Sequence, residues 1–121
     1  MPTATRHLIE SFLAGDMASA TAFVAPDAEF HSPIRDYSGA ERIGAVWRTV
    51  GGVVADARPT SIHEGDGETI AFFAGAIKGR PVDGVMRALA DADDRVTDVT
   101  LMIRPWAALK AGIADIGGPE E

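Results

Sequence analysis

The sequence predicts an α+β fold, a cone built from helices against a mainly antiparallel sheet. Three observations predict it. Through the first fifty positions, apolar residues recur mostly at helical spacing. From Val53 onward, apolar runs alternate with Gly- and Asp-rich turns. One of the resulting strands is apolar on both faces, so the sheet must be covered on both sides.

The elements follow in order. Leu8, Ile9, Phe12 and Leu13 form one helical stripe, and Gly15 stops it. Asp16 caps a second helix carrying Met17, Ala20, Phe23 and Val24, which Pro26 ends. Ala28 to Ser32 is a short half-apolar run closed by Pro33 and is expected as an edge strand. Arg35 to Gly39 is expected as a polar loop. A third helix begins near Ala40: Ile43, Val46, Trp47 and Val50 stand at i, i+3, i+4 and i+7, and Gly51-Gly52 terminates it.

Four strands complete the sheet. Val53 to His63 is the first, with Pro59 marking a bulge or an edge. Gly65-Asp66-Gly67 turns into Thr69 to Lys78, and Gly79-Arg80 turns into Val82 to Ala90. Asp91 to Asp94 is a polar turn before Val96 to Arg104. In that last strand Val99, Leu101 and Ile103 share one face, and Asp98, Thr100, Met102 and Arg104 share the other. Pro105 opens a final short helix with Trp106, Leu109 and Ile113. The chain reads as one domain over 1–116 with a flexible tail at 117–121.

Composition narrows the function. Eleven Lys and Arg against eighteen Asp and Glu give a net charge of -7, so nucleic acid is not an expected partner. There is no cysteine, which excludes disulfides, thiolate metal sites and cysteine nucleophiles together. The first sixteen residues do not read as a signal peptide and no membrane segment is expected, so the expected location is the cytoplasm. The three histidines have no i, i+4 or H-x-H pairing, and the cluster Asp91, Asp93 and Asp94 lacks the Gly and distant Glu of a calcium loop. Neither a metal nor a cofactor is expected. Because Ile70 and Phe72 oppose Ala71 and Phe73, the face away from the helices needs a cover, and a homodimer through the sheet is expected.

The motifs carry a resemblance. LAGD closing the first helix, then APDAEFHSPI, then SGAERI opening the third, and finally GRPVDGVMRALADADDRVTDVTLMIRP, together resemble the nuclear transport factor 2-like superfamily. More narrowly they resemble its SnoaL-like branch, which includes polyketide cyclases and is similar to ketosteroid isomerases. The resemblance implies an α+β barrel: helices packed on a strongly curved sheet around a deep, mostly apolar pocket, usually in a homodimer. It does not fix a function, because this fold serves several chemistries.

The family's catalytic positions have lost their chemistry here. The base before the edge-strand proline matches Ser32, whose hydroxyl is too weak a base to take a carbon-bound proton. The acidic residue of the third strand matches Met86, and the oxyanion-stabilising tyrosine of the first helix matches Leu8. No Asp–Arg–Asp set of the epoxide-hydrolase kind can be placed. Substitutes at the mouth are His31, Ser32, Asp36 and Tyr37. Strand alternation turns His31 opposite to Ser32. Asp83 faces away from the set Val82, Gly84, Met86 and Ala88, unless a bulge near Pro81 shifts the register and makes it a pocket carboxylate.

The expected pocket is lined by Leu8, Phe12, Phe30, Ser32, Trp47, Phe73, Gly75, Met86, Val99, Leu101 and Ile103. Small residues at Ala71, Gly75, Gly84 and Ala88 are expected to leave it open. The expected ligand is a small hydrophobic molecule of polyketide, steroid or terpenoid type, with proton transfer or cyclisation as the chemistry if there is any. The alternative is a non-catalytic assembly module whose pocket is filled.

Overall fold

A computed structural model describes residues 3–115. The order is α1 (Ala4–Leu13), α2 (Met17–Ala22), β1 (Val24–His31), β2 (Asp36–Ser38), α3 (Ala40–Val50), β3 (Ala55–Gly65), β4 (Glu68–Ile77), β5 (Arg80–Ala90), β6 (Val96–Arg104) and α4 (Trp106–Asp115). The tail expected at 117–121 lies outside the described residues, as does residue 116.

Six strands form one curved, open sheet in the order β2-β1-β6-β5-β4-β3. All pairings are antiparallel except β1 with β6. The four-stranded meander is therefore extended by two further strands on the β6 side. Three local expectations are corrected by that extension. The strand that includes Ala28 is not an edge, because β1 lies between β2 and β6. The loop at Arg35 to Gly39 contains the true edge, β2, paired as Glu29–Ser38, Phe30–Tyr37 and His31–Asp36. The second helix stops at Ala22, and Val24 and Pro26 belong to β1. Pro26 is tolerated there because it falls where the β1–β6 register shifts, between Val24 and Glu29, and owes no ladder hydrogen bond. At the opposite edge, Pro59 sits in β3 beside a register shift, as an edge proline should.

Local chemistry sets the helix starts. The Thr3 side chain accepts from the Arg6 amide at the head of α1, and Asp16 accepts from the Ser19 amide (3.1 Å) and hydroxyl (2.7 Å) at the head of α2. Those bonds hold the Asp16 carboxyl below the usual carboxylate range.

On the helix-covered face, the register stacks side chains in rows: Thr69–Ala88–Val99–Phe30, then Ala71–Met86–Leu101, then Phe73–Gly84–Ile103. α1 packs over β4 and β5, and α3 over β1 and β2. Leu8, Ile9, Ile43, Trp47, Met86 and Val99 are fully or almost fully buried between them. Each large side chain removed from water contributes about 1.5–3 kcal/mol. A smaller cluster of Ile77, Val82, Ala108 and Leu109 docks α4 at the other end of the sheet.

Candidate functional site

A cavity of about 710 Å³ opens between α1, α3, α4, β3 and the sheet. Its walls include Phe12 and Leu13 of α1, Phe30 of β1, Val46 and Val50 of α3, Phe73 of β4, and Leu101 and Ile103 of β6. Val53 and Val54 before β3, and Leu109 and Ile113 of α4, close the far side. Of the expected lining, Phe12, Phe30, Ser32, Phe73, Leu101 and Ile103 are brought together there. Leu8, Trp47, Gly75, Met86 and Val99 do not line it. Met86 and Val99 are sealed in the first two rows beneath α1, and Leu8 is buried on α1 itself. Trp47 is fully buried, with the rings of Phe12 (5.2 Å) and Phe30 (5.4 Å) edge-on to it.

The small residues do not make the space. A Cβ at Gly84 would stand 2.6 Å from Phe73 Cζ, and one at Gly75 would stand 2.7 Å from Val54 Cγ1. Ala71 and Ala88 are wholly buried. Each small side chain is used for close approach, and the hollow lies further along, where the sheet runs past the end of α1.

Four polar side chains belong to the lining: Ser32, Tyr37, Thr49 and Asp56. Ser32 is fully engaged. Its hydroxyl donates to the Arg35 carbonyl at 2.7 Å and accepts from the amides of Arg35 (3.0 Å) and Ile34 (3.3 Å). It therefore shapes the mouth turn and has no proton to spare for a ligand. Thr49 donates to the Ala45 carbonyl at 3.0 Å, one helical turn back. Tyr37 lies on β2 with its ring stacked on Phe30 and the Arg42 guanidinium 5.7 Å from the ring centre. Among the described residues its hydroxyl has no hydrogen-bond partner.

Asp56 is the residue that sequence reasoning missed. It is exposed at the rim, in a left-handed backbone conformation (φ 56°), where β3 bulges between Ala55 and Arg58. Asp tolerates that conformation better than most residues, which was the one faint signal available. The Arg58 guanidinium reaches the backbone oxygen of Asp56 at 3.2 Å.

The remaining candidates lie on the other side of the sheet. Asp83 stands in the outer row Ala74–Asp83–Arg104, 3.5 Å from the Arg104 guanidinium. No register shift interrupts β5 near Pro81. His31 also faces outward, held by Asp36 and Asp98 at 3.0 Å each. Hydrogen bonds to Asp36 and then to Asp98 push the imidazole pKa up from 6.5, against a smaller opposing effect of burial. Asp91, Asp93 and Asp94 form a turn in which the Asp91 carboxylate accepts from the amides of Asp93 and Arg95. Among the described residues no group of His, Asp and Glu is arranged to hold a metal ion, and no helix is long and apolar enough to cross a membrane.

Residues 5–104 match the model of the SnoaL-like domain. No curated protein matches the chain. Among solved structures, a steroid delta-isomerase from Pseudomonas aeruginosa is similar with a TM-score of 0.79 and 24% identity, over 90% of this chain and 82% of that one. A protein from Silicibacter pomeroyi described as having a cystatin-like fold gives 0.83 and 20%, over 92% and 80%. A Mycobacterium tuberculosis protein solved in complex with estradiol-17beta-hemisuccinate gives 0.64 and 12%, over 86% and 100%.

Proposed function

The chain belongs to the SnoaL-like domain family of the nuclear transport factor 2-like superfamily, and from that premise we propose that it binds a small, mostly apolar molecule in the cavity. The single observation that carries this reading is the cavity itself. Its 710 Å³ falls within the range of small-molecule sites, its walls are largely aliphatic and aromatic, and four of its lining side chains are polar. The protein's own side chains do not fill it.

The polar groups define a ligand class. Ser32 and Thr49 have spent their protons on backbone carbonyls. Tyr37 can donate to an acceptor, and the Asp56 carboxylate can accept from a hydroxyl or amine. The ligand is an apolar body with a small number of hydrogen-bonding groups. A steroid, polyketide or terpenoid alcohol has that character, and the ligand and activity named for two of the structural neighbours support it.

Binding is the better reading than proton transfer, because the resemblance matches Ser32, Met86 and Leu8 to the family's catalytic positions and the one carboxylate of the lining, Asp56, is exposed. One observation favours the second reading, isomerase-type proton transfer: Asp56 is a carboxylate in the lining, though exposed at its rim. The two separate in one experiment. The protein is titrated with estradiol and with the uncharged dye N-phenyl-1-naphthylamine, by thermal shift and fluorescence. Ligand at a hundred times its dissociation constant adds about 2.7 kcal/mol to stability. If neither compound stabilises the fold or fluoresces in it, the binding reading fails. Turnover of a steroid delta-isomerase substrate that Asp56→Asn abolishes while binding persists would establish the second reading.

The proposal includes a homodimer through the outer face of the sheet. The row Phe72–Val85–Met102 crosses three strands there, with Phe72 48% and Met102 58% exposed. Charged residues of both signs flank it: Asp83 and Arg104 on one side, Arg87 with Glu68 on the other. An apolar row bordered by opposite charges is self-complementary, as a twofold interface requires. Sedimentation of wild type and Phe72→Lys tests it: wild type sediments as a dimer and the variant as a folded monomer. A monomeric wild type rejects the dimer. A cytoplasmic location is likewise proposed, with fractionation of the native host as its test.

A further inference from the structure

The outer face carries a cluster that the cavity does not use. His31 ends β1 and lies in the row Ile70–Arg87–Thr100–His31–Asp36. Its Nδ1 stands 3.0 Å from Asp36 Oδ1 on β2, and its Nε2 stands 3.0 Å from Asp98 Oδ2 on β6. We propose that His31 is a positioning residue that latches the cavity mouth from the far side of the sheet, so that ligand entry depends on its proton. This rests on the cavity being the ligand site.

A carboxylate only accepts, and a neutral imidazole has one N–H. Both contacts are hydrogen bonds only when the ring is an imidazolium. Loss of one proton leaves a ring lone pair facing a carboxylate oxygen, and one arm must open.

The geometry selects the arm. The Asp98 side chain is 31% exposed, on a strand held on both sides. The Asp36 side chain is 68% exposed, on a three-residue edge strand whose sole neighbour in the sheet is β1. The Asp36 arm opens. Asp36 immediately precedes Tyr37, whose ring stacks on Phe30 and lines the mouth. The turn leading into β2, Ser32 to Arg35, also borders the cavity through Ser32, Pro33 and Ile34. A β2 strand released at Asp36 loosens this whole strip.

Other charged groups surround the latch. Glu29, on the same face of β1, accepts from Ser38 Oγ at 3.1 Å. Arg87 on β5 is paired with Glu68. Arg42 of α3 stacks on Tyr37 from the helix-covered side. Arg35 lies in the turn, and its backbone carbonyl accepts from the Ser32 amide. The upward displacement of the imidazole pKa agrees with a proton held between two carboxylates.

The test uses the whole chain, with the His31 titration followed by the NMR signal of its Cε1 proton. Amide exchange protection over residues 36–39, corrected for the intrinsic pH dependence of exchange, is measured without ligand. Protection is expected to fall about tenfold as the ring loses its proton, the effect of one partly exposed charge-assisted hydrogen bond. The uptake rate of N-phenyl-1-naphthylamine, uncharged throughout, is expected to rise with the same midpoint. Asp36→Asn, exposed and outside the cavity, should abolish both pH dependences. Flat protection and pH-independent uptake would overturn the latch while leaving the binding site intact. Failure of the dye to bind at any pH would remove the site and the proposal with it.

Discussion

Replacement of Ser32 by alanine distinguishes a hydroxyl that shapes the mouth from one that meets the ligand. The hydroxyl closes the turn with three bonds, to the Arg35 carbonyl and the amides of Ile34 and Arg35. Each is worth about 0.5–1.5 kcal/mol net, but the site is partly exposed and water can recover the freed amides. The net loss should be about 1–2 kcal/mol. For 121 residues the unfolding entropy is about 0.25 kcal/mol per kelvin, so Tm should fall by about 4–8 °C. Scanning calorimetry of the unliganded protein reads this directly. Dye affinity should change little, because the Ser32 proton is already committed to Arg35, and Ser32→Thr should restore most of the lost stability. A variant with unchanged Tm and a tenfold weaker dye complex would refute the reasoning and return Ser32 to the role of ligand contact.

Three further outcomes follow from the same geometry. Gly84→Ala places a methyl against the Met102 carbonyl and 2.6 Å from Phe73 Cζ; it should cost about 1–3 kcal/mol by overpacking and push Phe73 into the cavity, lowering dye affinity in parallel with Tm. Trp47→Ala empties the fully buried site between Phe12 and Phe30 and should cost about 3–5 kcal/mol, read as a shift in the urea midpoint. The raised pKa of His31 contributes stability that is complete below the unfolded value of 6.5 and disappears as pH rises through the higher folded value; Tm should therefore fall across that window in wild type, and His31→Gln should remove that component of the slope.

Much of the fold was legible because it depends on short-range pattern. The stripe Ile43, Val46, Trp47 and Val50, followed by Gly51-Gly52, is legible as an amphipathic helix from its spacing. The glycines of Gly65-Asp66-Gly67 and Gly79 locate the hairpins, although the second turn is Lys78-Gly79 and Arg80, expected in the turn, already pairs with Ile77. β6 spans the expected Val96 to Arg104, alternating from Asp98 onward after a bulge against β5 near its start. β1 and β2 were harder. Pro26 and Pro33 are helix and strand stops locally, yet a long-range parallel pairing with β6 gave β1 a second neighbour and placed Pro26 where no hydrogen bond was owed.

The candidate site was legible by face but not by depth. Alternation assigns Met86, Val99, Leu101 and Ile103 to the inward side, and they are there. Which of them meets open space depends on how far α1 reaches along the sheet, and no local pattern encodes that. Asp56 and the flank Val53–Val54 escaped notice because their role comes from a bulge at the strand start. The His31–Asp36 contact depends on the hairpin that brings Asp36 back beside β1, and the His31–Asp98 contact on the parallel pairing with β6.

By itself, the sequence determined the element types outside the β1–β2 region, the inward and outward faces of the meander, and the family, since these follow from periodicity, turn chemistry and motif order. The tertiary structure alone decided where the hollow lies, that Ser32 is spent on its own turn, and that His31 joins two carboxylates behind the sheet. The hollow and the His31–Asp98 contact depend on residues distant in the chain meeting, and the Ser32 bonds depend on which conformation the turn from Ser32 to Arg35 takes; side-chain type and spacing record neither.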